Sequence, residues 1–220
     1  MDTKSSSFHE SDFIYVPSIN LYVAKDKKFF RKNWFEAHKR LQEDGQKMLT
    51  IPEFAEFLKY IKNTENDENL DLFYDIFSSG DDHYYWRGEW LDAKFELKDK
   101  KLYIHSNHVI DKKGDLIPKS SEVIDSKTLM NKNSSEDSDI FLEDWFKYQT
   151  SQGLPSKEAR LRRDNSRWNI SYDLTNREDG LVAMFSCGVH GPQLQCEQNP
   201  YRPIQSPKEN AGVRPAVYKL

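Results

Sequence analysis

The chain has little of what several protein classes require. Only two cysteines, Cys187 and Cys196, occur among 220 residues, too few for a disulfide framework, so we expect two unpaired, partly buried thiols. No stretch approaches the roughly 20 apolar residues of a membrane-spanning helix. The polar residues 1–7 also lack the apolar core of a signal peptide. We therefore expect neither membrane insertion nor export by the usual secretory route.

The charge distribution and the reactive side chains exclude further classes. The net charge is -4, and Lys and Arg are scattered among Asp and Glu. The chain therefore has no basic stripe that could bind along a phosphate backbone, and nucleic acid is not an expected partner. No phosphate-binding loop, Ser-His-Asp order or catalytic acidic pair stands out. His105 and His108 are candidate metal ligands, but no Cys or carboxylate lies at a matching spacing. The sequence thus predicts no catalytic residues, no metal and no cofactor.

What remains is enough to build a core, because 37% of the residues are hydrophobic and 13% aromatic. Asn33 precedes an apolar stripe that ends before Gly45, and Thr50 with Glu53 forms a capping box ahead of another stripe. Helical spacing recurs further along the chain. The predicted helices are 34–44, 51–61, 67–77 and 140–148.

Alternation of apolar and polar residues marks strands. It occurs near the N-terminus, around a Lys-Asp-Lys-Lys turn at 98–101, and in the last forty residues. Residues 111–139 are rich in Ser, Lys, Asp and Asn, so we interpret them as a surface insertion. The prediction is a single α+β domain over 1–220, with helices packed on a twisted, mostly antiparallel sheet.

The C-terminal region is nearly free of charge. Between residues 181 and 206 only Glu197 and Arg202 are charged. Uncharged hydrogen-bonding groups mixed with aromatic rings are typical of a recognition surface. The alternative is an ordinary Gly/Pro loop joining two strands. Arg214 is expected to be structural, satisfying several acceptors with its fork of donors.

Strand periodicity divides this region into two faces. Leu181, Ala183 and Phe185 would pack against the core, while Val182, Met184 and Ser186 would face outward. The same alternation in 193–197 would present Gln193, Gln195 and Glu197.

Several segments resemble a known family. Lys-Met-Leu-Thr-Ile-Pro-Glu-Phe at 47–54 and Glu-Trp-Leu-Asp-Ala at 89–93 resemble C-type lectin domains of the formylglycine-generating-enzyme type. Gly-Leu-Val-Ala at 180–183 and Gly-Val-Arg-Pro-Ala at 212–216 resemble the ending of variable proteins from diversity-generating retroelements. Asn-Trp-Phe-Glu-Ala-His at 33–38 is similar to archaeal and viral members.

The resemblance implies a C-type lectin scaffold whose C-terminal region, 165–220, is rewritten by adenine-directed mutagenesis. The implied partner is a protein or cell-surface ligand, and the chain would reach a surface as part of a virion or another assembly. The implied ligand-binding residues are the variable positions between fixed scaffold residues. They are Met184, Ser186, Gly188, His190, Gly191, Gln193, Gln195, Glu197, Asn199, Tyr201 and Arg202.

Two alternatives stay open. The first is a copper oxidase of the formylglycine-generating type, with Cys187 and Cys196 as its thiol pair. The second is a structural virion protein whose lectin-like domain only packs in an assembly. The calcium-binding tripeptides of sugar-binding C-type lectins do not occur in the chain, which disfavours calcium-dependent sugar binding.

Overall fold

A computed structural model describes residues 8–77, 87–130, 140–160, 169–173, 180–188, 191–201 and 211–219. For residues 87, 169–173, 188, 191–193, 195–198 and 211 the description covers the backbone alone. Within this part of the chain, four α-helices and two mostly antiparallel sheets form an α+β fold. The expected α+β class is confirmed.

The helices begin where the sequence places their caps. They are α1 Trp34–Glu43, α2 Ile51–Lys62, α3 Asp67–Phe77 and α4 Leu142–Lys147. The side chain of Asn33 accepts a hydrogen bond from the Glu36 backbone N–H, and Thr50 does the same for Glu53. Both glutamates bond back to the cap residue, which completes two capping boxes. All four predicted helices are confirmed.

A small sheet joins distant parts of the chain. Its strands are β1 Phe13–Val16, β2 Leu21–Ala24, β3 Lys47–Met48 and β12 Pro215–Tyr218. They lie in the order β1-β2-β12-β3 and are antiparallel. The C-terminal strand therefore lies between two strands formed by the first fifty residues.

A larger sheet carries the rest of the β structure. Its strands are β4 Arg87–Lys98, β5 Lys101–Ile110, β6 Leu116–Val123, β7 Ile140–Phe141, β8 Asn169–Asp173, β9 Val182–Gly188, β10 Gly191–Gln198 and β11 Ala211–Gly212. The order is β6-β5-β4-β9-β10-β8-β7, and β11 pairs with β4. The hairpin around residues 98–101 is confirmed as β4 and β5.

The polar segment 111–139 contains strand β6, which the sequence analysis does not predict. It pairs with β5 over residues 116–123 and forms the sheet edge, with most of its residues exposed. Serine, lysine and glutamate are tolerated there because an edge strand contacts solvent. Residues 131–139 lie outside the described part of the chain.

Both faces of strand β9 are buried. Ala183 and Phe185 belong to the main core with the apolar faces of α2, α3 and α4. Val182 and Met184 belong to a second core with Trp34 of α1. The predicted outward orientation of Val182, Met184 and Ser186 is wrong, because all three are buried. Alternation along the strand identifies two faces, but it does not reveal that α1 covers the second one.

Arg214 ties the C-terminus to the core, as expected of a structural residue. Its guanidinium is buried and bonds both carboxylate oxygens of Glu89, at 3.0 and 2.6 Å. It also donates to the backbone carbonyls of Ala24 and Lys25. The fork of donors thereby joins β4, the end of β2 and the start of β12.

Candidate functional site

The predicted ligand-binding residues fall into four groups. Asn199 and Tyr201 are exposed, and Met184 and Ser186 are buried. Five residues lie in the β9–β10 hairpin, where only the backbone is described: Gly188, Gly191, Gln193, Gln195 and Glu197. His190 and Arg202 lie outside the described residues. Of the set, Asn199 and Tyr201 are therefore the residues whose described side chains are available to a partner.

Tyr201 is a rigid, exposed aromatic residue. It is 71% exposed, and its ring packs against Phe35 with the ring centroids 4.9 Å apart. Its backbone N–H donates to the Asn199 side chain at 2.9 Å. The carbonyl of Pro200 accepts a hydrogen bond from the backbone N–H of Trp34 at 3.2 Å. These contacts hold residues 199–201 at the start of α1.

A cleft of about 360 Å³ lies beside this segment. Trp34 and Phe35 of α1 and two residues of β6 supply its apolar lining, and Lys94 and Glu96 of β4 supply charge. Glu96 accepts a 2.9 Å hydrogen bond from His105 Nε2 when that nitrogen is protonated. Apolar walls with a few convergent polar groups are typical of ligand pockets. Phe35 is shared between the cleft and the contact with Tyr201, so the two features are continuous.

His105 and His108 both line the cleft, although residues three apart on a regular strand face opposite sides. Asn107 between them has a positive φ of 54°, a left-handed conformation that asparagine tolerates better than most residues. This interrupts the alternation of β5 and brings both imidazoles to the cleft.

Behind the cleft lies a buried cluster of His38, Asp92 and His108. His108 Nδ1 lies 2.5 Å from Asp92 Oδ1, and the His108 backbone N–H donates to Asp92 Oδ2 at 3.0 Å. His38 Nε2 lies 3.5 Å from Asp92 Oδ1. One donor atom from each of the three side chains lies within 4.8 Å of the others. Two imidazoles therefore converge on one carboxylate in the interior.

Irregular backbone places Asp92 in the cluster. The register between β4 and β9 shifts between Trp90 and Lys94, and Asp92 lies inside this stretch. Strand irregularities of this kind re-aim side chains and are frequent near functional sites. Its neighbours Leu91 and Ala93 belong to the main core, whereas the Asp92 carboxylate contacts His38 and His108.

The ring of Trp34 packs edge-on against both imidazoles, at centroid distances of 4.4 Å to His38 and 5.0 Å to His108. Its indole N–H donates to the Leu91 carbonyl at 2.9 Å, which fixes the ring. The side chain of Gln42 in α1 makes two hydrogen bonds to the backbone of β5. It donates to the carbonyl of His108 and accepts from the N–H of Ile110. Packing and hydrogen bonds thus orient the donor atoms.

Electrostatics keep the Asp92 carboxyl ionised. Burial alone raises its pKa, but attraction by His38 and the hydrogen bond from His108 outweigh this effect. The pKa of Asp92 is therefore held well below its usual range. The cluster consequently contains a negative charge that a cation or a protonated imidazole must balance.

His38 and Asp92 are not among the site residues predicted from the sequence. No ligand lies at a matching spacing beside His105 and His108, because the partners of His108 come from α1 and β4. His105 belongs to a different pair, with Glu96. One available signal was a carboxylate between Leu91 and Ala93, in a run otherwise typical of a buried strand.

The thiol needed by the copper oxidase alternative is not exposed. Cys187 is 2% exposed, and its Sγ donates to the carbonyl of Phe77 at 3.0 Å. The side chain of Cys196 lies outside the described part of the structure. This environment disfavours copper chemistry at Cys187, because a reactive thiol needs to be accessible.

Comparison of the chain with protein-family models, curated proteins and solved structures finds no match. Among the described residues, no helix combines the length and the apolar character needed to cross a membrane.

Proposed function

We propose that this is a non-enzymatic binding protein that engages a protein or cell-surface ligand at the start of α1. The observation that carries the proposal is Tyr201, a large side chain 71% exposed yet held in place against Phe35. Tyrosine offers apolar contact area and a hydroxyl while losing little conformational entropy on binding. A pre-ordered, exposed tyrosine therefore has the properties of a binding anchor.

The neighbouring cleft supports the same proposal. It offers Lys94 and Glu96 within one opening, between apolar walls. A polar side chain of a partner protein would find both an acceptor and a donor there, while Tyr201 covers the adjoining surface. We propose that the cleft takes such a side chain and that Tyr201 contributes the contact area.

The scaffold, on this proposal, is of the C-type lectin type, and a diversity-generating retroelement varies its binding surface. The burial pattern supports a fixed scaffold, because the residues of the Gly-Val-Arg-Pro-Ala segment at 212–216 are buried. Asn199 and Tyr201 are the described residues best placed to vary, since both are exposed. Met184 and Ser186 are removed from the proposed contact surface, because both are buried.

Peptide selection tests the binding proposal. A displayed random-peptide library is selected on the immobilised protein, and an enriched peptide is titrated against wild type, Tyr201→Ser and Tyr74→Ser. Tyr74 is a matched control, because it is 54% exposed but lies on α3, which packs on the other face of the sheet. Loss of an anchor typically costs about 2 kcal/mol or more, so Tyr201→Ser should weaken binding roughly 30-fold while Tyr74→Ser changes little. Equal affinities for all three proteins, or no enriched peptide, would contradict the proposal.

Sequencing tests diversification separately. The DNA downstream of the gene, and the gene in sister isolates, should hold a near-copy of the C-terminal coding stretch that differs at adenines, together with a reverse transcriptase. Variation should fall on exposed positions such as 199 and 201 and spare the buried ones. Absence of both the repeat and the variation would remove the diversification claim but leave the binding claim intact.

A further inference from the structure

We infer that His38, Asp92 and His108 form a binding site for a divalent first-row transition metal ion, with zinc as the best fit. The three residues come from α1, β4 and β5, and their donor atoms lie within 4.8 Å of one another. This site is independent of the ligand proposed for Tyr201 and the cleft, so either proposal can fail without the other.

The strongest observation is the unsatisfied nitrogen of His38. Its Nε2 is buried and has no hydrogen-bond partner, although it faces Asp92 Oδ1 at 3.5 Å. That separation is too long for a good hydrogen bond. A buried polar atom left unpaired is unfavourable and needs an explanation. A shared metal ion provides one, because the nitrogen lone pair would coordinate the ion.

The donor set selects the class of ion. Two imidazole nitrogens and one carboxylate oxygen suit zinc and its first-row neighbours. Calcium and magnesium prefer sites made of oxygen ligands. Three protein ligands also leave a coordination position open to water, as in many zinc sites with an exchangeable ligand.

The surroundings orient the ligands as metal sites require. Asp92 Oδ2 is engaged by the His108 backbone N–H, which leaves Oδ1 facing both imidazoles. Trp34 packs on both rings. Such supporting contacts around the ligands contribute strongly to metal affinity. On binding, the ion replaces the proton between His108 Nδ1 and Asp92 Oδ1, and that proton passes to solvent.

The cleft gives the ion a path. His108 and Trp34 border both the buried cluster and the 360 Å³ cleft. An ion in solution would therefore approach from the cleft, on the side of His108 and Trp34.

The test uses the full chain stripped of metal with a chelator and then titrated with Zn²⁺ against a chromophoric competitor. Wild type should bind one equivalent, and His38→Asn should weaken binding at least about 100-fold. His105→Asn is the matched control, because His105 lines the same cleft but pairs with Glu96 outside the cluster. It should bind zinc like wild type. Equal losses in the two variants, or no stoichiometric binding by wild type, would overturn the inference.

A second measurement covers the case in which His38→Asn does not fold. Wild type loaded with Co²⁺ should show intense visible absorption bands from a low-symmetry site with nitrogen and oxygen ligands, and zinc should abolish them stoichiometrically. A spectrum identical to that of aqueous Co²⁺ would overturn the proposal without any variant.

Discussion

Replacing Arg214 by methionine should destabilise the protein severely. The change removes two hydrogen bonds to Glu89 and the donors to two backbone carbonyls, all in the interior. Glu89 is 4% exposed and would remain as an uncompensated buried charge. Breaking a buried ion pair from one side typically costs about 3 to 5 kcal/mol. That is a large part of the roughly 5 to 15 kcal/mol by which folded proteins are stable.

Urea denaturation followed by fluorescence and far-UV circular dichroism measures this effect. The midpoint should fall for Arg214→Met with the slope unchanged, and the melting temperature should drop by roughly 6 to 20 °C. The double variant Glu89→Met, Arg214→Met should recover part of the loss, because it leaves no buried charge behind. A loss below about 1 kcal/mol in the single variant, or a double variant that is simply additive, would refute the reasoning.

Three further expectations follow from packing and charge. Gly153→Ala should cost about 1 kcal/mol for its positive φ of 79° and a further ~1 to 3 kcal/mol for crowding, because the new Cβ would lie 2.6 Å from a backbone nitrogen of α2. Gly114→Ala, at a φ of 88° with open space around it, should show only the first cost when urea midpoints are compared. Met184→Ala should lose about 2 to 5 kcal/mol by cavity formation, whereas Tyr201→Ser should stay within about 0.5 kcal/mol in the same assay; the reverse order would contradict the assignment of core and surface. Asp144→Asn should lower the urea midpoint at pH 7 by the equivalent of about 1 kcal/mol or less, because Arg160, which bonds this carboxylate and lowers its pKa, is itself 72% exposed to solvent. The stabilisation by Asp144 is present above its unfolded pKa of about 4 and is lost as the pH falls through its pKa in the folded protein. The urea midpoints of wild type and Asp144→Asn should therefore converge as the pH is lowered from 7. A constant difference between the two midpoints would show that charge is not the cause.

Local signals in the sequence predict the helices well. Asn33 and Thr50 each combine a capping side chain with a glutamate three residues later, and the structure contains both caps. These interactions close within one turn, so no tertiary information is needed to recognise them. The β4–β5 hairpin is predictable for the same reason, since its turn lies between two neighbouring strands.

The faces of the strands are harder to predict. Alternation separates Met184 from Phe185, but it cannot tell that α1 covers the side on which Met184 lies. Strand β6 is not predicted, because an edge strand needs few apolar residues and its composition therefore looks like that of a loop. In both cases the missing information concerns which element packs where.

The His38, Asp92 and His108 cluster shows the same limit. Each residue has an ordinary local context, on an apolar helix stripe or in a strand. Their convergence depends on the irregular stretch around Asp92 and on the left-handed Asn107. Backbone departures of this kind leave little trace in periodicity, so the site is visible only in three dimensions.

The position of β12 has a consequence for folding. This strand lies between β2 and β3, so residues 215–218 must be present before the small sheet can close. Contacts between such distant parts of a chain form slowly, because a long loop must close before they contribute. During synthesis the first strands and α1 should therefore remain incompletely folded until β12 has been synthesised. The chain depends most on protection from aggregation during that interval.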